Sequence, residues 1–568
     1  MSGARANKES LLTAGQRNDL ADLLFPNITK TPEDYESVYP PRDLPPGALV
    51  TRFGPSPTGF VHLGNLYSSL TDTFLARQSG GVCILRIEDT DNKREIPGAV
   101  EQLVSSLAYF GVAFDEGAAK DGDKGAYGPY RQRQRVELYQ TIAKSLIRKG
   151  RAYPCFCSEE ELGAIRERQT AEKLTPGYYG PWAAHRDLSF DEIQTRLASG
   201  EKFTVRFRSM GDPSKRFTIV DGIRGPLTMP ENDQDFVLLK ADGIPTYHFA
   251  HAVDDHFMRI THIIRGEEWI ATLPYHHELH DALGYEPPVF CHTTVLMKID
   301  NGVKRKLSKR KDPELGLDYY QKLGFLPDAV RIYLLTVLNS NFEEWMMSNP
   351  GAGYENFPFT TGKMSGSGAL FDLDKLRSIS KDVLAGMTGR EIYDFMLGWS
   401  EKNDPEFYGL IRDDGGYLLS ALNIGRGGNN PRKDLINGTQ IAEFVSFYYD
   451  SMFKMEDPYP ERIDSDLTAR LLEAYLEIFD PDDDNATWFA KVRKMGEGFG
   501  FAARPKDYND DPDRYKGHVG DVSSALRVAL TGRRNSPDLW EVQRVLGADR
   551  VRARVESAIE SLRRGSAG

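Results

Sequence analysis

The chain has 568 residues, 40% hydrophobic and 27% charged, a composition that excludes a fibrous or wholly disordered protein and allows several domains with cores of their own. No run approaches the roughly 18 apolar residues of a membrane span, and Met1 to Asp19 lacks the apolar centre of a secretory signal, so a cytoplasmic protein without a membrane partner is expected. A net charge of −12 argues against indiscriminate coating of nucleic acid but leaves room for a local basic face, and four cysteines are too few to staple a chain of this size.

In chain order, residues 1–47 read as an N-terminal extension: a polar leader, a short amphipathic piece and a proline-rich linker, packed as ornament on the neighbouring domain. Ala48-Leu49-Val50 then predicts a strand, Pro55, Pro57 and Gly59 a turn, and Leu66, Leu70, Phe74 and Leu75 a helix beginning near Gly64. Such a helix aims free N–H groups and the positive end of its dipole at the turn, where a triphosphate fits. His62 can then hydrogen-bond a phosphate oxygen, and Gly64, without a Cβ, lets adenine lie on the backbone. Standing alone, His-Leu-Gly-Asn is a commonplace tetrapeptide.

Gly81 to Ile87 predicts a buried parallel strand ending in Glu88-Asp89-Thr90-Asp91. Acidic groups beyond the carboxyl end of such a strand can meet a substrate ammonium; alone they would be a solvated loop. From Gly111 to Thr246 the pattern becomes mixed, with helices over Val136–Lys149 and Glu159–Lys173 and strands over Phe203–Phe207 and Phe217–Val220. Within it Cys155-Phe-Cys157 has only His185 in reach downstream, and Trp182 stands near where a further cysteine would be needed. Four ligands make a zinc site, so the pair reads as packing or surface thiols and no metal centre is expected.

Thr246 to Asp255 leads to another apolar strand, Ile260–Ile264, which delivers Arg265 and Trp269. Arg52 and Arg265, each leaving a strand, suit a dicarboxylate by bidentate hydrogen bonding, and Tyr247 adds a hydroxyl. After a strand-like run from Thr293 to Ile299 comes Lys304-Arg-Lys-Leu-Ser-Lys-Arg-Lys311. Alone this is a solvated basic face; beside the sheet, a lysine loop can close over β- and γ-phosphates and neutralise leaving pyrophosphate. Lys363-Met-Ser-Gly-Ser367 lacks the second lysine and reads as linker. Beyond Asp328 the pattern is helical, at Ala329–Val337, Phe371–Ile379, Ile392–Leu397, Leu467–Ile478 and Val522–Leu530.

The string from Arg52 to Gly64, R-F-x-P-S-P-T-G-x-x-H-L-G, resembles the first signature of class I aminoacyl-tRNA synthetases in its bacterial glutamyl-tRNA synthetase form, with Asn65 where His-Ile-Gly-His has its second histidine. Leu85-Arg-Ile-Glu-Asp-Thr-Asp91 is similar to a string of the glutamyl and glutaminyl enzymes, and Lys306-Leu-Ser-Lys-Arg310 resembles the second class I signature, Lys-Met-Ser-Lys-Ser. Leu526 to Gly532 with Arg550, Arg552, Arg554, Arg563 and Arg564 resembles the helical anticodon-binding half.

The resemblance implies an α/β fold: a Rossmann-like doubly wound parallel-sheet catalytic domain with an α/β insertion, then an all-helical anticodon-binding region. The implied boundaries are 48–110 for the first catalytic half, 111–246 for the acceptor-binding insertion and 247–327 for the second half with the lysine loop. A helical stem-contact region over 328–400 and an anticodon-binding domain over 401–568 complete the chain. It implies ATP-dependent activation of L-glutamate to glutamyl-adenylate and transfer to the glutamate tRNA, with ATP and ATP-borne Mg²⁺, by a monomer. His62, Lys306 and Lys309 are the implied catalytic residues. Arg52, Ser56, Glu88, Tyr247 and Arg265 are implied for glutamate, and Gly64, Asn65 and Trp269 join His62 and the two lysines for ATP. The role of His251 is left open, as is the glutamine tRNA as a second acceptor. Some relatives carry a zinc knuckle opening on C-x-C, which this chain does not complete.

Four rivals fit the chain less well. A glutaminyl-tRNA synthetase usually shows Pro-Glu-Pro-Asn where this chain has Pro55-Ser-Pro-Thr58, and a glutamyl-queuosine enzyme lacks the long tail after Lys311. An inactive tRNA-binding paralogue has no need of His62, Glu88, Arg265, Lys306 and Lys309 together. A small-molecule nucleotidyltransferase leaves the insertion and helical tail without purpose.

Overall fold

The computed structural model describes residues 9–566 except 58, 92–95, 120–121, 367, 414, 427 and 429–430, so Thr58 and Ser367 of the motifs above lie outside the described residues. The chain divides into two compact units, Met1–Tyr319 with Arg331–Asp372 and Tyr320–Val330 with Leu373–Gly568.

The first unit opens with α1 (Ala14–Leu24) and α2 (Pro32–Val38), each started by a capping box, at Thr13 and Thr31. Then come β1 (Val50–Phe53), α3 (Leu63–Gln78), β2 (Val82–Leu85), α4 (Ala99–Tyr109) and β3 (Glu116–Gly117). β1 pairs in parallel with β2 from Val50 opposite Val82 to Phe53 opposite Leu85, and β2 with β3. β1 starts later than the apolar run suggested, because Ala48 and Leu49 serve a turn: their N–H groups donate to Pro45 O and Ser79 Oγ. The shift puts Arg52 inside the strand.

The insertion holds α5 (Val136–Arg148), β4 (Ala152–Cys155), α6 (Glu159–Ala171), α7 (Phe190–Ala198), β5 (Thr204–Phe207), β6 (Arg216–Asp221), β7 (Gly225–Pro230) and β8 (Val237–Leu239). β4, β5 and β8 form an antiparallel sheet, while β6 and β7 form a separate hairpin. Next are α8 (Tyr247–Phe257), β9 (His262–Gly266), α9 (Leu273–Leu283) and β10 (Val289–Thr293), with β9 and β10 parallel. Thr261 N–H donates to Val50 O, joining this pair to the edge of β1. The run from Thr293 to Ile299 is broken into β10 and β11 (Leu296–Asp300), and β11 folds back on β12 (Val303–Lys306) ahead of the lysine loop.

Thr246 to Asp255, given no element from sequence, lies almost wholly in α8, because Phe249, Ala250, Val253 and Phe257 recur at helical spacing and all are buried. The same helix buries Asp254 and Asp255. Asp254 accepts from Arg135 Nε (2.7 Å), Tyr139 Oη (2.7 Å) and Gln132 Nε2 (2.9 Å). Asp255 accepts from Arg52 Nε (3.1 Å) and Arg86 Nη1 (2.6 Å). Paired this way, buried charges fix one register of α8; with either partner removed they would be strongly destabilising.

The extension is bound closely to this unit. Lys144 on α5 gives its ammonium to Phe25 O (3.0 Å) and Ile28 O (2.8 Å). Glu36 holds His256 Nε2 and Arg259 Nη2 at 2.6 Å each, at the end of α8.

In the second unit the described residues are helical, including Leu373–Gly386, Gly389–Asn403, Ser465–Ile478, Val519–Thr531 and Ala548–Ser566. Its core gathers Phe407, Ile411, Leu472, Tyr475, Val522, Leu526, Val551 and Val555. The late arginines are engaged within the unit: Arg550 and Arg554 share Asp450, and Arg563 pairs with Glu473. Arg552 lies over the Phe479 ring, and Arg564 meets Glu560. Of these contacts, Arg563–Glu473 joins two helices, whereas Arg564–Glu560 lies within one.

Candidate active site

A cavity of about 600 Å³ opens beyond the carboxyl ends of β1, β2 and β9. Its walls include Arg52, Ser56, His62, Gly64, Asn65, Glu88, Tyr247, Arg265, Trp269 and Lys306. Lys309 faces a neighbouring hollow of about 400 Å³ that shares Ser56, His62 and Asn65, with its ammonium 4.1 Å from the centre of the Phe60 ring. Every residue expected to handle glutamate or ATP thus falls on one of two adjoining hollows.

His62 is the N-cap of α3, which begins at Leu63. Its Nδ1 accepts the Asn65 N–H (3.3 Å), while Asn65 Oδ1 accepts the His62 N–H (2.9 Å), a reciprocal cap. Asn65 was expected as an ATP contact; its side-chain oxygen is used by the helix start, which leaves its amide nitrogen. With Nδ1 accepting, the His62 proton sits on Nε2, a donor available to a phosphate. Burial, with Lys306 and Lys309 nearby, lowers the pKa of this ring, so it is neutral at pH 7. Gly64 is needed for a closer reason than adenine: a Cβ there would stand 2.9 Å from His62 Nδ1.

Glu88 is part-buried, its side chain 9% exposed, rather than a solvated loop residue, and accepts from Arg86 Nη2 (3.0 Å). Burial pushes its pKa up against the pull of Arg86 and Arg52. Gly54 gives it room, since a Cβ there would lie 2.4 Å from Glu88 Oε1. Arg52, expected free for substrate, spends its Nε on Asp255, and its Nη2 lies 3.5 Å from His251 Nδ1. His251 also holds Asp255 Oδ2 (2.6 Å) and lies parallel to the Tyr247 ring, whose centre is 5.5 Å away. Burial lowers the His251 pKa to about 3, and the buried Nε2 has no hydrogen-bond partner. Tyr247 in turn packs on Trp269, with ring centres 4.2 Å apart.

Arg265 is held by histidines. Its Nε donates to His292 Nε2 (2.9 Å) and its Nη1 lies 3.2 Å from His276 Nδ1, while buried Nη2 has no partner. His292 escaped the sequence reading inside the apolar strand β10, and His276 because it is one of three histidines in the polar-rich α9 with nothing local to single it out. The one hint was a polar ring at a position whose neighbours, Phe290 and Leu279, are buried.

The lysine loop is pinned from below. Asp312 accepts from Arg305 Nη1 (2.6 Å) and Nη2 (2.8 Å) and from the Ser308 N–H (2.8 Å). Those bonds, Arg305 foremost, hold its pKa below the usual carboxylate range.

Away from this cavity, Cys155 Sγ, Cys157 Sγ and His185 Nδ1 lie within 4.8 Å of one another, closer company than plain packing thiols keep. The fourth neighbour is Tyr178 Oη, 3.3 Å from Cys157 Sγ, and His185 Nδ1 already accepts the Phe156 N–H (3.1 Å). Three donors with one nitrogen engaged fall short of a closed tetrahedral zinc site.

This architecture and cavity define a class I aminoacyl-tRNA synthetase. Residues 48–351 match the catalytic domain of class I tRNA synthetases (E and Q), and residues 515–559 match an anticodon binding domain. The chain belongs to the glutamate–tRNA ligases. It is 56% identical to the glutamate–tRNA ligase of Acetivibrio thermocellus over 94% of this chain and 98% of that one, and 45% identical to that of Clostridium perfringens over 94% and 99%. Among solved structures, a glutamate tRNA ligase from Elizabethkingia meningosepticum in complex with its amino acid superposes with a TM-score of 0.72 at 26% identity, over 90% of this chain and 99% of that one.

Proposed function

We propose that the chain activates L-glutamate with ATP and transfers it to the 3′ end of the glutamate tRNA, using the residues of this cavity. The observation that carries the reading is the meeting, at one cavity, of a buried guanidinium with an unpartnered nitrogen, the capping histidine of α3 and the first lysine of the loop.

In this reading Arg265 and Arg52, with Tyr247 and Ser56, take the carboxylates of glutamate, and Glu88 takes its ammonium. Adenine lies over Gly64 beside Trp269, and the Asn65 amide faces the nucleotide. A glutamate oxygen attacks the α-phosphorus, the bond to the bridging oxygen breaks, and pyrophosphate leaves. His62 Nε2–H donates to a phosphate oxygen, while Lys306 and Lys309 neutralise the leaving group, Lys309 by moving off Phe60. The ribose hydroxyl of the tRNA then attacks the carbonyl carbon, and AMP departs. Mg²⁺ carried by ATP would add charge neutralisation at the phosphates beside Lys306 and Lys309. A guanidinium left unpaired by a neutral analogue makes a separate editing site unnecessary.

The reading assigns residues 111–246 to the acceptor end, 328–400 to the tRNA stem and 401–568 to the anticodon. It extends to a monomer in the cytoplasm, in keeping with four free thiols. The test is aminoacylation with labelled glutamate or glutamine, offering glutamate and glutamine tRNA transcripts separately. Glutamate on the glutamate tRNA alone is the expected result, and glutamate on both would mark a non-discriminating enzyme. No transfer at all would refute the reading.

A further inference from the structure

The buried arginines around the cavity are held in two different ways. Arg52 meets Asp255, Arg86 meets Asp255 and Glu88, and Arg135 meets Asp254. Arg265 meets two imidazoles instead, and among the described residues no carboxylate lies within ion-pair distance of it.

For His292 Nε2 to accept the Arg265 Nε–H, that nitrogen must carry a lone pair, so the ring proton must sit on Nδ1. Asp221 Oδ2 stands 2.6 Å from Nδ1 and selects that tautomer. The carboxylate is itself fixed, accepting the N–H groups of Ile223 and Arg224 (2.9 Å each) and of His292 (3.2 Å). Burial works to raise its pKa, and the His292 ring and these N–H groups overcome it, so Asp221 stays ionised. On the other side His276 Nδ1 accepts, and its Nε2 lies 3.1 Å from His248 Nδ1. Asp221 ends β6, and the turn after it is seated on β10: Gly222 N–H donates to Phe290 O (2.7 Å) and Arg224 Nε to His292 O (3.1 Å).

We propose that Asp221 and His292 are positioning residues for Arg265. They hold its guanidinium plane with a neutral acceptor, so no carboxylate cancels its charge and its Nη2 is left without a hydrogen-bond partner beside the cavity that Arg265 lines. A carboxylate in the place of His292 would hold the plane equally well and cancel the charge that a substrate carboxylate needs. The inference rests on the reading that Arg265 receives a carboxylate of glutamate. It makes glutamate affinity depend on a residue of the β6–β7 hairpin that touches no substrate.

The experiment is steady-state aminoacylation by the full chain, with separate KM values for glutamate and ATP, for Asp221→Asn, His292→Leu, His292→Gln and Arg265→Ala. Asp221→Asn and His292→Leu should raise the glutamate KM by about tenfold or more and leave the ATP KM within about threefold. His292→Gln should stay within about threefold of the parent, because an amide oxygen near the Nε2 position accepts from Arg265 without any tautomer to select. An unchanged glutamate KM in Asp221→Asn and His292→Leu, with a raised one in Arg265→Ala, overturns the positioning role. So does equal loss in the Gln and Leu variants, or an ATP KM that rises in step. An unchanged glutamate KM in Arg265→Ala instead removes the reading on which the inference rests. Should Asp221→Asn not fold, the His292 pair alone decides.

Discussion

Asp255→Asn exchanges a buried carboxylate for a neutral amide of the same shape, and three partners feel it at once. Arg86 is 0% and Arg52 4% exposed, so neither guanidinium can turn to water. Arg86 would keep Glu88, Arg52 would keep only long contacts of 3.5 Å to the carbonyl of Ile264 and to His251 Nδ1, and His251 would lose its carboxylate. Breaking a buried pair by removing one partner costs about 3–5 kcal/mol. At a few degrees per kcal/mol for a unit of this size, the melting temperature of the catalytic unit at pH 7 should fall by on the order of 10 °C. The pH dependence has a definite sign. Burial alone would raise the Asp255 pKa, but Arg52 and Arg86 hold it well below its ordinary value. Its contribution is therefore complete above the unfolded carboxylate range, about pH 4, and fades as pH falls through the folded pKa. The deficit of the variant should be constant from pH 6 to 8 and shrink in strong acid. Calorimetry across that range with circular dichroism at matched pH measures it, and a shift below about 2 °C at pH 7 would refute the argument that Asp255 compensates both arginines.

Lys309→Ala should lower the rate of adenylate formation by about a hundredfold or more and leave the glutamate KM nearly unchanged, read by pre-steady-state quench. Gly64→Ala drives a methyl group into the His62 ring, so the ATP KM should rise about tenfold while the glutamate KM holds. Asp312→Asn unties the lysine loop from Arg305 and Ser308; faster proteolysis near Lys306 and a slower adenylation step should appear together. Asp72 is fully buried on α3 with both carboxylate oxygens unpartnered, and burial pushes its pKa well above the ordinary value. Asp72→Asn should therefore raise stability at pH 7 by about 1–3 kcal/mol in urea titration. That gain should shrink as pH falls below the folded pKa and vanish below about pH 4, where the unfolded carboxyl is protonated too.

Sequence reading located the turn before α3, both cavity arginines and the lysine loop, since each depends on local order along the chain. Leu66, Leu70 and Phe74 announce a helix whatever lies around it, and prolines announce the turn. It assigned no element to α8, where two adjacent aspartates interrupt an apolar run. Only the long-range partners Arg52, Arg86 and Arg135 make those carboxylates acceptable inside, and no local pattern announces partners that distant in the chain. The cap formed by His62 and Asn65 was hidden for another reason: both side chains looked like ligand contacts, and a reciprocal hydrogen bond between them leaves no mark on composition. His276 and His292 belong to the same blind spot. Buried neutral imidazoles are unremarkable in a sequence until the guanidinium between them is in place.

The clasp between Glu36 and the end of α8 carries a consequence for synthesis. Glu36 leaves the ribosome long before Arg259, its partner 223 residues later. At about 5–20 residues per second the first helices wait roughly ten to forty-five seconds for it, and they wait for α5 before that. Until α5 follows, Leu20, Leu24, Phe25 and Tyr35, all buried in the finished molecule, lack the helix they pack on, and the clasp at Glu36 closes later still. This segment is thus made well before α8 and is among the last to be locked. Slow codons or scarce chaperones should be felt there before they reach the catalytic cavity.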